Sequence, residues 1–338
     1  MNKIIKTLLT LFLSALAIIF IGWRDADDLL QHPLPISKAT DIEIRSGESL
    51  NALLRRLSEK GFLTPMRVTF YLKVYARLTG KAMQIKAGEY ELQPGMDGLD
   101  LLNLLMSGKV KLHELQIIEG WTFKQAMAAI NASPDLIHTL KDLPPDQIMS
   151  YLGKSDLHPE GRFFPDTYRF SKDTTDTAFL SRAFDTMRAT LEQEWQSRED
   201  DLPYKTADEA LIMASIVEKE TGRGEERARV AGVFVRRLKM GMKLQTDPTV
   251  IYGMGDLYDG NIRRKDLLID TPYNSYTRSG LPPTPICLPS KAAIHAALHP
   301  DKSKALYFVA RKDGTHQFSD TLAQHNRAVH QFQIKKSR

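Results

Sequence analysis

The chain has 338 residues, 42% of them apolar and 26% charged, which suits about two globular domains and argues against wholesale disorder. Its net charge of +5 comes from 46 Lys and Arg against 41 Asp and Glu. No dense basic block is interleaved with aromatics, so nucleic acid is not expected as a partner. The single cysteine, Cys287, excludes an intrachain disulfide and any cysteine-built zinc site.

Lys3 and Lys6 precede the uncharged run Thr7–Trp23, and Arg24, Asp25, Asp27 and Asp28 follow it. With Ile4 and Ile5 the run approaches the ~20 residues that cross a bilayer. Ala15-Leu16-Ala17 has the form of a signal-peptidase site, but Ile18, Ile19, Phe20 and Ile21 come directly after it. Cleavage there would fall inside the apolar core, so an uncleaved anchor over residues 7–23 is expected. The positive-inside bias makes residues 1–6 a cytoplasmic tail and puts the rest outside. Residues 24–39, with Pro33 and Pro35, read as a linker.

Asp41–Arg45 alternates as a strand does, and Ser46–Ser49 forms a turn that ends on a helix cap. Leu50, Leu53, Leu54 and Leu57 then repeat at helical spacing up to Gly61. Thr64-Pro65 restarts a helix whose apolar side takes Val68, Phe70, Tyr71, Val74 and Tyr75. Gly88–Leu92 is a second strand, Leu99–Met106 a short helix and Leu115–Ile118 a third strand. The strand, Gly-Glu-Ser turn and helix resemble a LysM-type glycan-binding module over residues 40–111.

Residues 112–338 are expected to form a larger, more helical domain. Helices are predicted at Phe179–Arg198, Thr206–Thr221, Glu225–Met240, Ser290–His299 and Leu322–Phe332, with a strand at Ala305–Ala310. Gly241–Ile286, rich in Gly, Pro, Asn and Tyr, reads as loops with short strands. The fold class is therefore α+β: a transmembrane helix, a small LysM-like subdomain and a mixed α+β domain.

Known cofactor and nucleophile motifs fail on spacing. Gly153-Lys154-Ser155 lacks the upstream glycine of a phosphate loop, where Ile148 stands, and Gly253, Gly255 and Gly260 do not fit a dinucleotide loop. Neither S-x-x-K nor G-x-S-x-G is present. His295 and His299 sit four apart with no evident third ligand, so neither a metal nor a cofactor is expected.

Leu211-Ile-Met-Ala-Ser-Ile-Val-Glu-Lys-Glu-Thr221 is a nearly all-apolar helical run that carries a carboxylate. At about 100° per residue Glu218 shares a stripe with Ala207, Leu211, Ala214 and Thr221, whereas Glu220 lies some 200° away. Packing beside apolar side chains desolvates an acid and raises its pKa, as a general acid near neutral pH requires. The competing reading is a helix-end Glu paired with a Lys or Arg.

Three polar segments remain: Glu160–Tyr168, Leu244–Val250, and Tyr273–Thr277 running into Gly280–Pro283. Asn, Gln and Asp beside Tyr and Phe suit sugar hydroxyls and pyranose faces, although turns and caps use the same residues. With the anchor and the LysM-like unit, the segments EGRFFPDTY, MASIVEKET, VFVRRLKMGMKLQTDPTVIYG, YNSYTRSGLPP and LYFVA…GTHQFS…HN resemble the MltG-type (YceG-like) endolytic murein transglycosylases along nearly the whole chain.

That resemblance implies cleavage of the β-1,4 bond between N-acetylmuramic acid and N-acetylglucosamine within peptidoglycan strands, leaving 1,6-anhydro ends and terminating nascent strands. It implies Glu218 as the catalytic acid, with Gln245, Asp247, Tyr273, Asn274 and Glu160 holding substrate. It also implies a single-pass protein of the bacterial inner membrane with a periplasmic catalytic part. Glycan strands and the membrane are the expected partners, with peptidoglycan synthases as candidate protein partners. A non-catalytic peptidoglycan scaffold and a water-using muramidase are the alternatives. One loop departs from the family. Where the pattern after GLPP runs Gly, then Pro or Ala, Ile, a polar or small residue, Pro and Gly, this chain has Thr284-Pro-Ile-Cys-Leu-Pro-Ser290. Two small positions are lost, the loop is expected to be stiffer or shifted, and no site residue is carried over from it.

Overall fold

The computed structural model describes residues 3–334 and is mixed α+β, divided into two compact units. Residues 1, 2 and 335–338, the outer ends of the expected cytoplasmic tail and catalytic domain, lie outside the described residues. The first unit runs to His113 and includes Phe170–Asp173; the second holds Glu114–Arg169 and the chain from Thr174 onward.

Helix α1 covers Lys3–Leu30, and its stretch Ile5–Leu30 is long and apolar enough to cross a membrane. It does not stop at the charges after Trp23, where a linker was expected. Tertiary contacts carry it on: Asp25 accepts hydrogen bonds from Arg67 at 3.0 Å and from the Tyr71 hydroxyl at 2.7 Å. Leu30, Leu34 and Ile36 are buried in the core of the first unit.

In that unit β1 (Thr40–Ile44) pairs antiparallel with β2 (Gly88–Leu92), Ile42 opposite Tyr90. Helices α2 (Leu50–Glu59) and α3 (Met66–Leu78) lie between them in sequence. The Ser49 hydroxyl caps α2 by accepting the Ala52 N–H at 3.3 Å. Leu50, Leu53, Leu54 and Leu57 are buried, as their spacing predicts. Helix α3 departs in part from expectation: Val68 is buried and Tyr71 and Tyr75 pack against the core, but Phe70 and Val74 are exposed, and Thr69, Leu72 and Ala76 are buried beside Val68. Helix α4 (Gly98–Ser107) opens with a capping box between Asp97 and Asp100.

The chain passes between the units in β3 (Leu112–Gln116) and again in β5 (Thr167–Ser171). The second unit contains α5 (Phe123–Ala132), α6 (Pro145–Tyr151), and a short parallel pair, β4 (Leu136–Ile137) with β6 (Thr174–Thr175). Its centre is α8 (Ala207–Glu220), buried without a break from Ala210 to Val217. A helix apolar on every side needs neighbours on every side. Those neighbours are α7 (Asp176–Gln196), α9 (Arg227–Lys239), α10 (Asp247–Met254) and α11 (Lys291–Leu298). Helix α10 lies where loops were expected, with Pro248 in its first turn, where a missing N–H goes unnoticed. The hairpin β7 (Tyr307–Ala310) and β8 (His316–Ser319), helix α12 (Leu322–Val329) and a π-helical turn at His330–Ile334 complete the described part.

Candidate active site

All the candidate residues lie in the second unit, around the C-terminal end of α8. The loop that follows Pro285 is bound along this helix. Ser215 accepts the Ile286 N–H on its hydroxyl at 3.0 Å, and its carbonyl lies 3.3 Å from the Cys287 thiol. Leu288 exchanges two backbone hydrogen bonds with the 120–121 turn, at 2.9 and 2.7 Å. Gly161 is in the left-handed region at φ +80°, and a Cβ there would fall 2.5 Å from the Pro285 ring. Only glycine lets the 160–164 segment approach this closely.

The same loop delivers Ser290 to Glu218. Its backbone N–H donates to Glu218 Oε2 at 2.9 Å, and its hydroxyl donates to the same oxygen. Arg227 Nη2 stands 3.7 Å from Oε1, and the Glu218 side chain is 7% exposed. Glu218 therefore has a cationic partner and two donors as well as buried helix neighbours.

Glu220 points elsewhere, as the helical angle predicts. It accepts a hydrogen bond from the Thr246 hydroxyl. Burial pushes its carboxyl up to about 7, the Thr246 bond works against that, and the Asp247 charge adds to it. Asp247, the first residue of α10, accepts the Tyr276 hydroxyl at 2.6 Å. Glu220, Gln245, Asp247, Tyr276, Arg237 and His316 line part of a cavity of about 420 Å³, and Glu218 is not in its wall. Gln245 adopts φ +54°, an uncommon backbone for a residue with a Cβ. Arg237 holds it there with bonds to the carbonyls of Lys243 and Leu244 and, at 3.2 Å, to the Gln245 side-chain oxygen.

A second cluster forms around Glu160, which is 3% exposed. It accepts the Phe123 N–H at 2.9 Å and the Tyr252 hydroxyl at 3.1 Å. Desolvation lifts its carboxyl to about 7 against these two hydrogen bonds. Tyr252 meets Tyr273 edge to face at 4.8 Å, and the Tyr273 hydroxyl lies 2.9 Å from that of Thr284. Asn274 is buried and directs its amide inward: Nδ2 donates to the carbonyls of Leu267 and Ile269, and Oδ1 accepts the Tyr276 N–H. It shapes the loop that carries Tyr273 and Tyr276.

The structure thus joins Gln245 and Asp247 in one cavity, links Glu160 to Tyr273 through Tyr252, and gives Glu218 separate partners. Sequence reasoning passed over Ser290, Arg227, Tyr252 and Tyr276. Tyr252, Tyr276 and Ser290 stood inside segments already noted without being singled out; Arg227 carried no local signal.

A chain with an N-terminal helix fit to cross a membrane, and an α+β unit with three largely buried carboxylates around one helix end, belongs among carboxylate-bearing, membrane-attachable α+β proteins. More specifically, the chain belongs to the YceG-like family, which matches residues 42–331. It is 32% identical over 319 residues to the endolytic murein transglycosylase of Bacillus subtilis (strain 168), covering 89% of this chain and 87% of that protein. The protein of the same name from Streptococcus pneumoniae serotype 2 is 28% identical over 340 residues, which is 90% of this chain but 60% of that longer protein. The crystal structure of a yceG-like protein from Listeria monocytogenes superposes with a TM-score of 0.56 at 30% identity, covering 86% of this chain and 99% of that one.

Proposed function

We propose that this protein is a lytic transglycosylase that cuts the N-acetylmuramic acid–β-1,4–N-acetylglucosamine bond inside peptidoglycan strands. The observation that carries this reading is the Glu218 carboxylate, fixed by Ser290 and Arg227 at the end of the central helix of a YceG-like chain. Glu218 gives its proton to the departing glucosamine O4 and then takes the proton of the muramyl C6 hydroxyl as that oxygen bonds to C1. The glycosidic bond breaks, the 1,6-anhydro bond forms, and no water is consumed. Because the nucleophile belongs to the substrate, the reaction gains from proximity and needs no second carboxylate. Gln245 and Asp247 hold sugar in the cavity, Glu160 and Tyr273 shape the neighbouring surface, and Asn274 acts through the loop.

Other parts of the reading concern placement. The order β1–α2–α3–β2 around an antiparallel pair supports a LysM-like module. Helix α1 serves as the membrane anchor, with Lys3 and Lys6 on the cytoplasmic side of the inner membrane and both units in the periplasm. Peptidoglycan synthases fit as partners for an enzyme that ends nascent strands. One observation favours a second assignment of the acid: Glu220 lies in the cavity wall with its carboxyl pushed up to about 7.

Digestion of purified sacculi by the detergent-solubilised full chain, followed by mass spectrometry, tests the activity. Muramyl ends one water lighter than hydrolytic products are expected. Hydrated reducing ends would make the protein a muramidase, and undigested sacculi would make it a scaffold.

A further inference from the structure

Helix α3 has a face that its own unit leaves uncovered. Met66 is 81% exposed, Phe70 61%, Val74 38% and Leu78 83%. At about 100° per residue these four spread over roughly a third of the helix circumference, opposite the buried Val68, Thr69, Leu72 and Ala76. Large apolar side chains in a continuous exposed row are uncommon on a solvated surface. Every charged residue of α3 is basic: Arg67, Lys73 and Arg77.

The helix is also tied to the end of the apolar span. Asp25, two residues beyond Trp23, binds Arg67 and Tyr71. On the helical wheel Arg67 falls between Val74 and Leu78, and Tyr71 lies beside Leu78. The end of α1 therefore meets α3 at the margin of the uncovered face, within one compact unit.

We propose that α3 lies on the bilayer that α1 crosses, with Met66, Phe70, Val74 and Leu78 at the headgroup–acyl boundary. This rests on the reading of α1 as an anchor. An apolar face whose only charged neighbours on its helix are cations, Arg67 and Arg77 within the row and Lys73 at its edge, has the composition of an interfacial helix on anionic lipid. The long stems of Lys73 and Arg77 let their charges reach phosphates while the apolar row sinks below them. Lipid fits this face better than a folded protein partner, because tethering by α1 keeps the row within reach of the membrane surface at all times. Contact there would fix the first unit against the membrane and limit how freely the second can travel from it.

The test uses the full chain in nanodiscs containing anionic phospholipid. Nitroxide labels are placed one at a time through Phe12→Cys in α1, Phe70→Cys and Leu78→Cys on the row, and Arg55→Cys on α2 as a solvent control. Cys287 is fully buried and stays unlabelled. Accessibility to oxygen, which concentrates in lipid, is compared with accessibility to a water-soluble nickel complex. Positions 70 and 78 should favour oxygen as position 12 does, while position 55 favours nickel. Nickel access at 70 and 78 with oxygen access at 12 overturns the proposal and leaves the anchor standing. Protection from both reagents at 70 and 78 shows a protein contact and also overturns it. Nickel access at 12 removes the anchor and this inference together.

Discussion

Ser290 places both its backbone N–H, at 2.9 Å, and its hydroxyl on one oxygen of Glu218, Oε2, while Arg227 stands 3.7 Å from the other. A backbone N–H can only donate, so Oε2 must offer it a lone pair. The two oxygens of the proposed acid are made inequivalent by a loop from elsewhere in the sequence.

Replacing Ser290 tests this. Ser290→Ala keeps the N–H contact and loses the hydroxyl, and a net hydrogen bond of about 1 kcal/mol corresponds to a rate loss of roughly fivefold to tenfold. The same hydroxyl caps α11 by accepting the Ala293 N–H at 3.2 Å, so a stability loss of about 1 kcal/mol should accompany it. Ser290→Thr should restore both. Sacculus digestion rates and thermal melts check the pair; full activity in Ser290→Ala would remove the hydroxyl from the mechanism.

The proposed proton-transfer role separates Glu218 from Glu220. Glu218→Gln should lower the rate by roughly 10² to 10⁴ while glycan binding persists, because an amide accepts from Ser290 but cannot shuttle a proton. Glu220→Gln should lose far less. A larger loss at Glu220 would move the acid to the cavity wall.

How far the sequence reaches can be judged from these residues. Glu218 and Glu220 were separable beforehand, since a helix turns about 100° per residue and the run was plainly helical. The capped α2 with its four buried leucines was equally legible. Ser290 was not, because its contact with Glu218 spans a long stretch of chain and its loop was the one that departs from the family pattern. Arg227 offered no pattern either; it reaches Glu218 from the helix that follows α8. Helix α10 was hidden by a segment rich in Gly, Pro and Asn, whose local preferences favour loops until packing on α8 supplies the missing stability. The two misplaced residues of α3, Phe70 and Val74, have a related cause: counting apolar residues cannot tell those that face a core from those that do not.

Stability should depend on pH through Glu160. Its carboxyl is lifted to about 7 by burial, against an unfolded value near 4.3. The folded state holds the proton more tightly, so this stabilising contribution is fully present below the unfolded pKa and is lost as pH rises through the folded one. Glu160→Gln keeps an acceptor for the Phe123 N–H and a polar partner for Tyr252. Its advantage over the natural chain should therefore grow between about pH 4.5 and 7.5, by up to about 3 kcal/mol. Denaturant unfolding at the two ends of that window reads the difference; an unchanged difference would mean that Glu160 stays ionised when buried.

Asp247 decides whether a second carboxylate reacts. It begins α10, accepts the Tyr276 hydroxyl at 2.6 Å and faces the cavity beside Gln245. If the muramyl C6 hydroxyl is the nucleophile, Asp247 needs only to position sugar and orient Tyr276. Asp247→Asn keeps an oxygen for Tyr276, so activity should fall mainly through a higher KM, with kcat lowered less and the products still anhydro-ended. A retaining hydrolase with Asp247 as nucleophile predicts near-complete loss of kcat instead, because no glycosyl-enzyme bond could form. Such an enzyme would also require its two carboxyls about 5–5.5 Å apart. Here Glu218 is bound to the Ser290 loop, and the carboxylate beside Asp247 is Glu220. Initial rates over a range of glycan concentration, with product masses from the same digests, distinguish the two mechanisms in one variant.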